Sequence, residues 1–198
     1  MARPPTIVKE HLKEPRVMPP PPKNRIIYPE ASSSALYDMY LTRDCMEKIV
    51  AHCRAHAEEH LEVMGLLVGD VFAWDDESFT LVKDVVTTDL EATNISVRFD
   101  SAGFEGLFGQ LDSLNYDYVL VGWYHSHPGL GCFMSPTDIA TQRRMFNSPF
   151  HSALVVDPIK QEIMAYRLKN EGYVRRRFAI YAGKGPGQSQ YSPEYTPF

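Results

Sequence analysis

Two histidines and an aspartate lie close together in the segment Val121–Asp138, which reads VGWYHSHPGLGCFMSPTD. His125 and His127 are two residues apart at the end of an apolar run, and Asp138 follows eleven residues after His127. Two imidazoles and one carboxylate are three protein ligands, which leaves the fourth position of a tetrahedral zinc ion for water. The residue types and their spacing therefore predict a hydrolytic zinc site.

The histidines follow a predicted strand. Residues 118–124 read YVLVGWY, a β-branched and aromatic run that is typical of a buried strand. Because alternate side chains of a strand share a face, His125 and His127 are expected to face one way and Ser126 the other. Pro128 cannot donate to the sheet and is expected to end the strand.

A helix is predicted to begin just after this strand. Ser135 is a favoured N-cap, Pro136 suits the first helical position, and Asp138 completes a capping-box-like start. Ser135 and Asp138 are also explained by a helix cap alone, and the two histidines by an ordinary strand. An H-x-H pair by itself is a weak indication of metal, so the prediction rests on the joint pattern.

The joint pattern resembles the JAMM (MPN+) family of zinc metalloisopeptidases. That family has a distant glutamate, then H-x-H, seven residues, and S-x-x-D; here Glu62 within EVMGLLVGD provides the glutamate. The sequence HSHPGLGC and the later VVDP are most similar to the branch of the proteasome-lid deubiquitinase and the signalosome deneddylase. The resemblance covers about residues 40–181, and the short chain resembles a compact, archaeal-type member.

The resemblance implies a role for each matched residue. His125, His127 and Asp138 would bind one zinc ion, Glu62 would be the general base, and Ser135 would stabilise the oxyanion. The implied activity is hydrolysis of the bond between the C-terminus of ubiquitin, or a ubiquitin-like protein, and a substrate lysine. Glu58 and Glu59 are close to Glu62 in sequence, and it is the resemblance that selects Glu62.

The resemblance also implies partners and a substrate-binding segment. The partners would be ubiquitin or a ubiquitin-like protein with its conjugates and, through the branch, the proteasome. Strand addition predicts that Asn94, Ile95, Ser96 and Val97 hold an extended modifier tail, with an ordinary connecting loop as the alternative. Cys132 and Phe133, which lie between the ligands in sequence, are expected to contact substrate.

Three alternatives stay open at this point. The chain could be a non-catalytic MPN scaffold domain, although it retains all five matched residues. Cys132 could be the nucleophile of a thiol hydrolase, against the simpler interpretation of a packed apolar residue. A row of histidines on the first predicted helix could bind a second metal, but solvated or core-edge side chains are the default interpretation; the row is His52, His56 and His60.

Composition narrows the class of protein. The formal net charge of −5 argues against nonspecific nucleic-acid binding. No apolar run approaches the roughly 18 residues that span a membrane, and the N-terminal residues show no signal-peptide pattern. Three cysteines provide no disulfide framework, which favours a reducing, cytoplasmic location.

The order of predicted elements favours an α+β fold: a curved mixed β-sheet flanked by helices, the MPN (JAMM, cytidine-deaminase-like) architecture that the resemblance implies. The predicted organisation is a Pro-rich tail at 1–30, a catalytic domain at 31–181 and a flexible tail at 182–198. Helices are predicted after Thr42 and from Asp100 to Leu114. The remaining strands are predicted at 63–73, 79–88, 151–157, 161–168 and 173–181.

Overall fold

The computed structural model describes five parts of the chain. They are residues 15–28, 36–87, 119–170, 172–183 and 195–198. The predicted helix from Asp100 to Leu114 and the predicted substrate segment Asn94–Val97 lie outside the described residues.

Two α-helices and ten strands make up the described fold. Helix α1 is Arg43–Ala55 and helix α2 is Pro136–Met145, and a short 3₁₀ helix covers Lys23–Arg25. The strands are, in chain order, β1 (Arg16–Val17), β2 (Ile26–Tyr28), β3 (Met39–Thr42), β4 (Met64–Trp74), β5 (Glu77–Thr87), β6 (Val119–Ser126), β7 (Ser152–Asp157), β8 (Glu162–Lys169), β9 (Gly172–Arg176) and β10 (Phe178–Tyr181). The α+β prediction is confirmed. No helix among the described residues has the length and apolar character needed to cross a membrane.

All ten strands belong to one mixed sheet. Its order is β2-β10-β3-β5-β4-β6-β7-β8-β9, and β1 pairs with the end of β4. The prediction of one strand at 173–181 was wrong, because the strand is interrupted at Arg177. Strand β9, before it, pairs with β8, and strand β10, after it, pairs with β3. Since a single residue joins strands near opposite ends of the sheet, the sheet must curl back on itself.

The two faces of the sheet bury separate apolar clusters. Of the three clusters among the described residues, one packs under α1 and includes Val121, Tyr124 and Leu154, and a second packs under α2 and includes Trp123 and Val155. Trp123 and Tyr124 on β6, and Leu154 and Val155 on β7, are neighbours that enter different clusters, as the two-residue period of a strand requires. Val121 departs from this alternation because the register of the β4–β6 pair shifts between Leu67 and Val68. The histidines of β6 continue the Trp123 face, so the fold directs them towards α2.

Both ends of the described chain contact the domain. Strand β1 pairs in parallel with the end of β4, and β2 pairs with β10, so part of the Pro-rich segment joins the sheet. At the other end, Tyr195 and Phe198 pack against the α1 cluster, with Arg43 and Arg54 over their rings. These last residues differ from the loose tail that is expected after residue 182, because two aromatic side chains gain apolar burial.

Gly69 allows a close approach between β4 and β5. A Cβ atom at this position would lie 1.9 Å from the carbonyl oxygen of Leu81, which is backbone and cannot turn away. The register of the β4–β5 pair shifts between Val68 and Gly69, so the absence of a side chain lets the irregular pair close.

Replacing Gly69 by alanine should lower the free energy of unfolding by roughly 2–3 kcal/mol, because the strands must separate to admit a methyl group. Gly172→Ala is the matched control, since a Cβ there meets no atom within 4 Å and the change should be less than about 1 kcal/mol. Urea unfolding monitored by circular dichroism measures both values. Equal effects at the two positions would contradict the close approach at Gly69.

Candidate metal centre

The end of β6 delivers His125 and His127 to the same buried corner. Strand β6 lies between β4 and β7, and both neighbouring ladders extend as far as His125. Both imidazoles are about 2% exposed. The ring of Trp123 stacks on the ring of His125 with a centroid separation of 4.4 Å and an interplanar angle of 17°. The orientation of His125 is therefore fixed by packing as well as by the strand.

The N-terminus of α2 delivers Asp138 to the same corner. Its Oδ2 atom lies 3.4 Å from Nε2 of His125 and 3.4 Å from Nε2 of His127. The same Oδ2 accepts a hydrogen bond of 2.7 Å from the backbone N–H of Ser135, and the Ser135 hydroxyl accepts one from the backbone N–H of Asp138. The capping box thus exists, and it aims the carboxylate at the histidines.

The charges in this corner shift two pKa values. Burial acts to raise the pKa of Asp138, but the charge of His125 and hydrogen bonds with the side chains of His125, His127 and Ser135 outweigh it and hold the pKa well below its usual value. Burial acts to lower the pKa of His127, but the Asp138 and Glu62 carboxylates outweigh it and raise the pKa. The corner therefore strongly favours an ionised carboxylate facing a positive group.

The donor set fits a divalent metal ion such as zinc. One ligand atom from each of His125, His127 and Asp138 lies within 4.8 Å of the others. Both ring nitrogens of His125 are buried without a hydrogen-bond partner, and a cation at the cluster would satisfy Nε2, the nitrogen that faces Asp138. Nδ1 of His127 lies 3.3 Å from the carbonyl oxygen of Gly131, a contact that places the ring proton there and leaves Nε2 free to coordinate.

Glu62 lies beside this cluster but outside the set of possible ligands. It is in the connection between α1 and β4, and its Oε1 atom is 3.8 Å from Nε2 of His127. Its side chain is 24% exposed, whereas the three candidate ligands are 2%, 3% and 11% exposed, so Glu62 lies on the more open side of the corner. A carboxylate in this position can exchange a proton with a group held at the metal without binding the metal itself.

Cys132 and Phe133 lie near the histidines and differ in exposure. The Phe133 ring is 4.7 Å from the His127 ring and 40% exposed, so it can contact a ligand that approaches the corner. The Cys132 thiol donates to the carbonyl oxygen of Val155, and burial, together with nearby carboxylates, raises its pKa to about 12. A thiol with such a pKa is protonated near neutral pH, which argues against a thiolate nucleophile.

The expected histidine row does not continue along α1, because the helix ends at Ala55, His56 is its C-cap and His60 lies in the following turn with a φ of 55°. Nδ1 of His52 lies 2.8 Å from the Tyr124 hydroxyl, and the His56 ring packs edge-on against His52. Within the described parts of the chain, the only group of three or more possible ligands is the one on β6 and α2. The three histidines therefore form no cluster of possible metal ligands among the described residues.

Asp157 is a supporting residue that the sequence analysis did not identify. It is fully buried at the end of β7, and its carboxylate accepts hydrogen bonds from the backbone N–H groups of Gly129, Gly131, Ile159 and Lys160. Gly129 and Gly131 have φ values of 79° and 87°, which glycine tolerates best. Asp157 thus holds the turn whose carbonyl orients His127, and an aspartate within VVDP at a strand end was the available signal.

Gln142 is a second supporting residue missed in the sequence. It lies one helical turn after Asp138, is 1% exposed, and accepts a hydrogen bond from the indole N–H of Trp123. Its amide N–H donates to the carbonyl oxygen of Phe146. Because Trp123 also stacks on His125, this amide sets α2, and hence Asp138, against the strand that holds the histidines. A buried polar residue on the apolar side of a helix was the signal.

Comparison with known proteins identifies the family to which the chain is similar. Residues 34–148 match the sequence profile of a family described as "JAB1/Mov34/MPN/PAD-1 ubiquitin protease". The chain is 36% identical over 145 residues to the 26S proteasome regulatory subunit RPN11 of Eremothecium gossypii, covering 70% of this chain and 45% of the relative. It is 35% identical over 141 residues to the ubiquitin carboxyl-terminal hydrolase RPN11 of Saccharomyces cerevisiae, with 68% and 44% covered.

Two further similarities concern the branch and the fold. The COP9 signalosome complex subunit 5 of Debaryomyces hansenii is 33% identical over 128 residues, with 62% of this chain and 26% of the relative covered. The chain therefore spans less than half the length of these curated relatives. The solution structure of protein DSY2949 from Desulfitobacterium hafniense matches with a TM-score of 0.56 and 22% identity, covering 78% of this chain and 99% of the other. This last similarity concerns the fold alone.

Replacing Asp157 by asparagine should weaken binding of a divalent metal about tenfold or more. The amide can keep one acceptor oxygen but places an N–H₂ group against another N–H donor, so the hydrogen bond to Gly131 is lost. Calorimetric titration of the metal-free protein with zinc measures the affinity. Asp76→Asn is the control because Asp76 is exposed in the turn between β4 and β5, with a φ of 62° that asparagine accepts. Unchanged affinity in Asp157→Asn would contradict the supporting role.

Proposed function

The chain belongs to the JAB1/Mov34/MPN/PAD-1 ubiquitin protease family, whose profile matches more than half of its residues, and on this basis we propose that it is a zinc-dependent isopeptidase. The proposed reaction is hydrolysis of the bond between the C-terminus of ubiquitin, or of a ubiquitin-like protein, and a substrate lysine. One observation carries the proposal: the ligand atoms of two histidines and one aspartate, all three buried, converge within 4.8 Å.

His125, His127 and Asp138 are the proposed zinc ligands. When bound, zinc supplies a Lewis acid that lowers the pKa of a water ligand towards 7 and polarises a carbonyl group. The chain's own contribution is to orient the ligands: the Gly131 carbonyl selects the His127 tautomer, and the capping box directs the Asp138 carboxylate. Three protein ligands leave one coordination position for water or substrate.

Glu62 is the proposed general base. Its carboxylate is 3.8 Å from Nε2 of His127 and lies on the more open side of the corner. From there it can accept a proton from the attacking water and return it to the leaving lysine amine. The neutral amine then departs, and the new carboxyl group stays with the modifier.

Ser135 is the proposed oxyanion donor. Its hydroxyl oxygen accepts the Asp138 N–H as a helix cap, and a hydroxyl can accept with a lone pair and donate its hydrogen at the same time. A donor aimed at the carbonyl oxygen stabilises negative charge as it develops during the attack. One residue can therefore begin the helix and support the reaction.

The proposed substrate class follows from the relatives. The RPN11 proteins are described as a ubiquitin hydrolase and a proteasome subunit, and subunit 5 belongs to a signalosome complex. We extend this to ubiquitin or a ubiquitin-like modifier for this chain, with the proteasome as an assembly partner and the cytoplasm as location. The contacts expected from Asn94, Ile95, Ser96 and Val97 stay predictions, as do those from Cys132 and Phe133.

Chelation and substitution should each abolish cleavage of di-ubiquitin and of modifier–lysine fusions. A chelator should remove activity and added zinc should restore it, because metal binding is reversible. His125→Ala should lose bound zinc, measured per chain by plasma emission. Glu62→Gln should keep zinc but lose at least about 10²-fold in kcat, which is a typical contribution of a general base.

Glu59→Gln is the matched control for Glu62→Gln, since Glu59 is exposed and close in sequence. Its rate should equal that of the unchanged protein. Activity that survives the chelator, His125→Ala and Glu62→Gln would contradict the proposed mechanism. A natively purified protein without zinc and without cleavage of any modifier would favour the scaffold alternative.

Replacing Cys132 by serine should leave kcat within about threefold of the unchanged protein. The Cys132 thiol donates to the Val155 carbonyl, and burial raises its pKa, which disfavours the thiolate that a nucleophile requires. Serine keeps the hydrogen bond to the same carbonyl. Cleavage rates before and after thiol alkylation provide the second measurement. A loss of more than about 10²-fold with zinc retained would revive the thiol mechanism.

A further inference from the structure

Ser126 lies between the two histidines, and its side chain is on the opposite face of the sheet. Its neighbours His125 and His127 face the α2 cluster, and Ser126 is fully buried on the other face. The histidine chemistry assigns nothing to this hydroxyl. Its hydrogen bond, however, is made to the segment that contains Glu62.

Two hydrogen bonds connect Ser126 to Val63, the residue directly after Glu62. The backbone N–H of Ser126 donates to the carbonyl oxygen of Val63 at 2.9 Å. The backbone N–H of Val63 donates to the side-chain Oγ of Ser126, also at 2.9 Å. Val63 is 4% exposed, so its N–H has no access to water as a substitute partner.

This pair is an altered rung of the β4–β6 ladder. Met64 pairs with His125, so Val63 and Ser126 form the next antiparallel pair. In a regular rung of this kind each residue donates its N–H to the other's carbonyl oxygen. Here the hydroxyl replaces one of the two carbonyl acceptors. The last hydrogen bond of the ladder is thus made to a side chain, just after Glu62 and before β4 begins.

We propose that Ser126 is a positioning residue that fixes the Glu62 carboxylate at the open side of the metal corner. The inference rests on the proposed function, in which Glu62 is the general base. The ligands and the base lie on separate elements, and the Ser126–Val63 pair is the described contact that joins the end of β6 directly to the residue beside Glu62. The hydroxyl therefore sets the base relative to the ligands that flank it.

Replacing Ser126 by alanine removes the acceptor and frees the Glu62 segment to move. The expected result is a fall in kcat of about 10–100-fold, which is the scale for small displacements of a catalytic group. KM and the number of zinc ions per chain should stay unchanged, because the ligands are retained. The Val63 amide should lose protection against hydrogen exchange, measured by mass spectrometry or NMR.

Two variants separate positioning from general stability. Ser152→Ala is the matched control: Ser152 is also fully buried, lies on β7, and accepts a hydrogen bond from Arg176 on β9 instead of the Glu62 segment. It should lower the unfolding temperature as Ser126→Ala does but leave kcat unchanged. Ser126→Thr keeps the hydroxyl on a side chain that suits a strand, and should recover kcat together with Val63 protection.

Three outcomes would overturn the inference. They are an unchanged kcat in Ser126→Ala, loss of zinc together with activity in that variant, and an equal loss of kcat in Ser152→Ala. If the unchanged protein cleaves no modifier, the proposed function fails but the anchoring is still decided by hydrogen exchange. Loss of Val63 protection in Ser126→Ala then supports anchoring of the Glu62 segment, and retained protection overturns it.

Discussion

The site depends on the burial of two imidazoles and one carboxylate in a single corner. Polar groups taken out of water without partners are costly, and the His125 ring has no hydrogen-bond partner on either nitrogen. The Asp138 carboxylate faces both imidazoles and accepts a hydrogen bond from the backbone N–H of Ser135 at the start of α2. Such an arrangement is stable when a cation occupies the centre, so metal binding and folding of this corner are expected to be coupled.

The strands beside β6 supply the groups that surround the ligands. Strand β4 begins just after Glu62, and β7 ends at Asp157, whose carboxylate organises the turn after His127. A central strand has two neighbours, so its end can be supported from both sides, whereas an edge strand could be supported from one. The position of β6 in the sheet order therefore explains how a base and a turn-holding carboxylate reach the same pair of histidines.

Several residues serve the fold and the site together. Asp138 caps α2 and faces the histidines, and Ser135 caps the same helix and is the proposed oxyanion donor. Trp123 belongs to the α2 core cluster, stacks on His125 and donates to Gln142. The packing that stabilises the domain is thus the same packing that orients the ligands. A loosened core would therefore disturb the orientation of the ligands.

The sequence by itself determined the local features: the alternation that directs His125 and His127 to one face, the helix start at Ser135, and the α+β class. These follow from short-range periodicity and capping, which depend on residues within a few positions of each other. Glu62 required family resemblance, since nothing local separates it from Glu58 and Glu59. Only the tertiary structure decided that 173–181 divides into two strands, that Asp157 and Gln142 support the ligands, and that Ser126 binds the Glu62 segment. Each of these depends on sheet order and curvature, which bring together residues that are far apart in sequence. A local sequence pattern does not specify which distant residues meet.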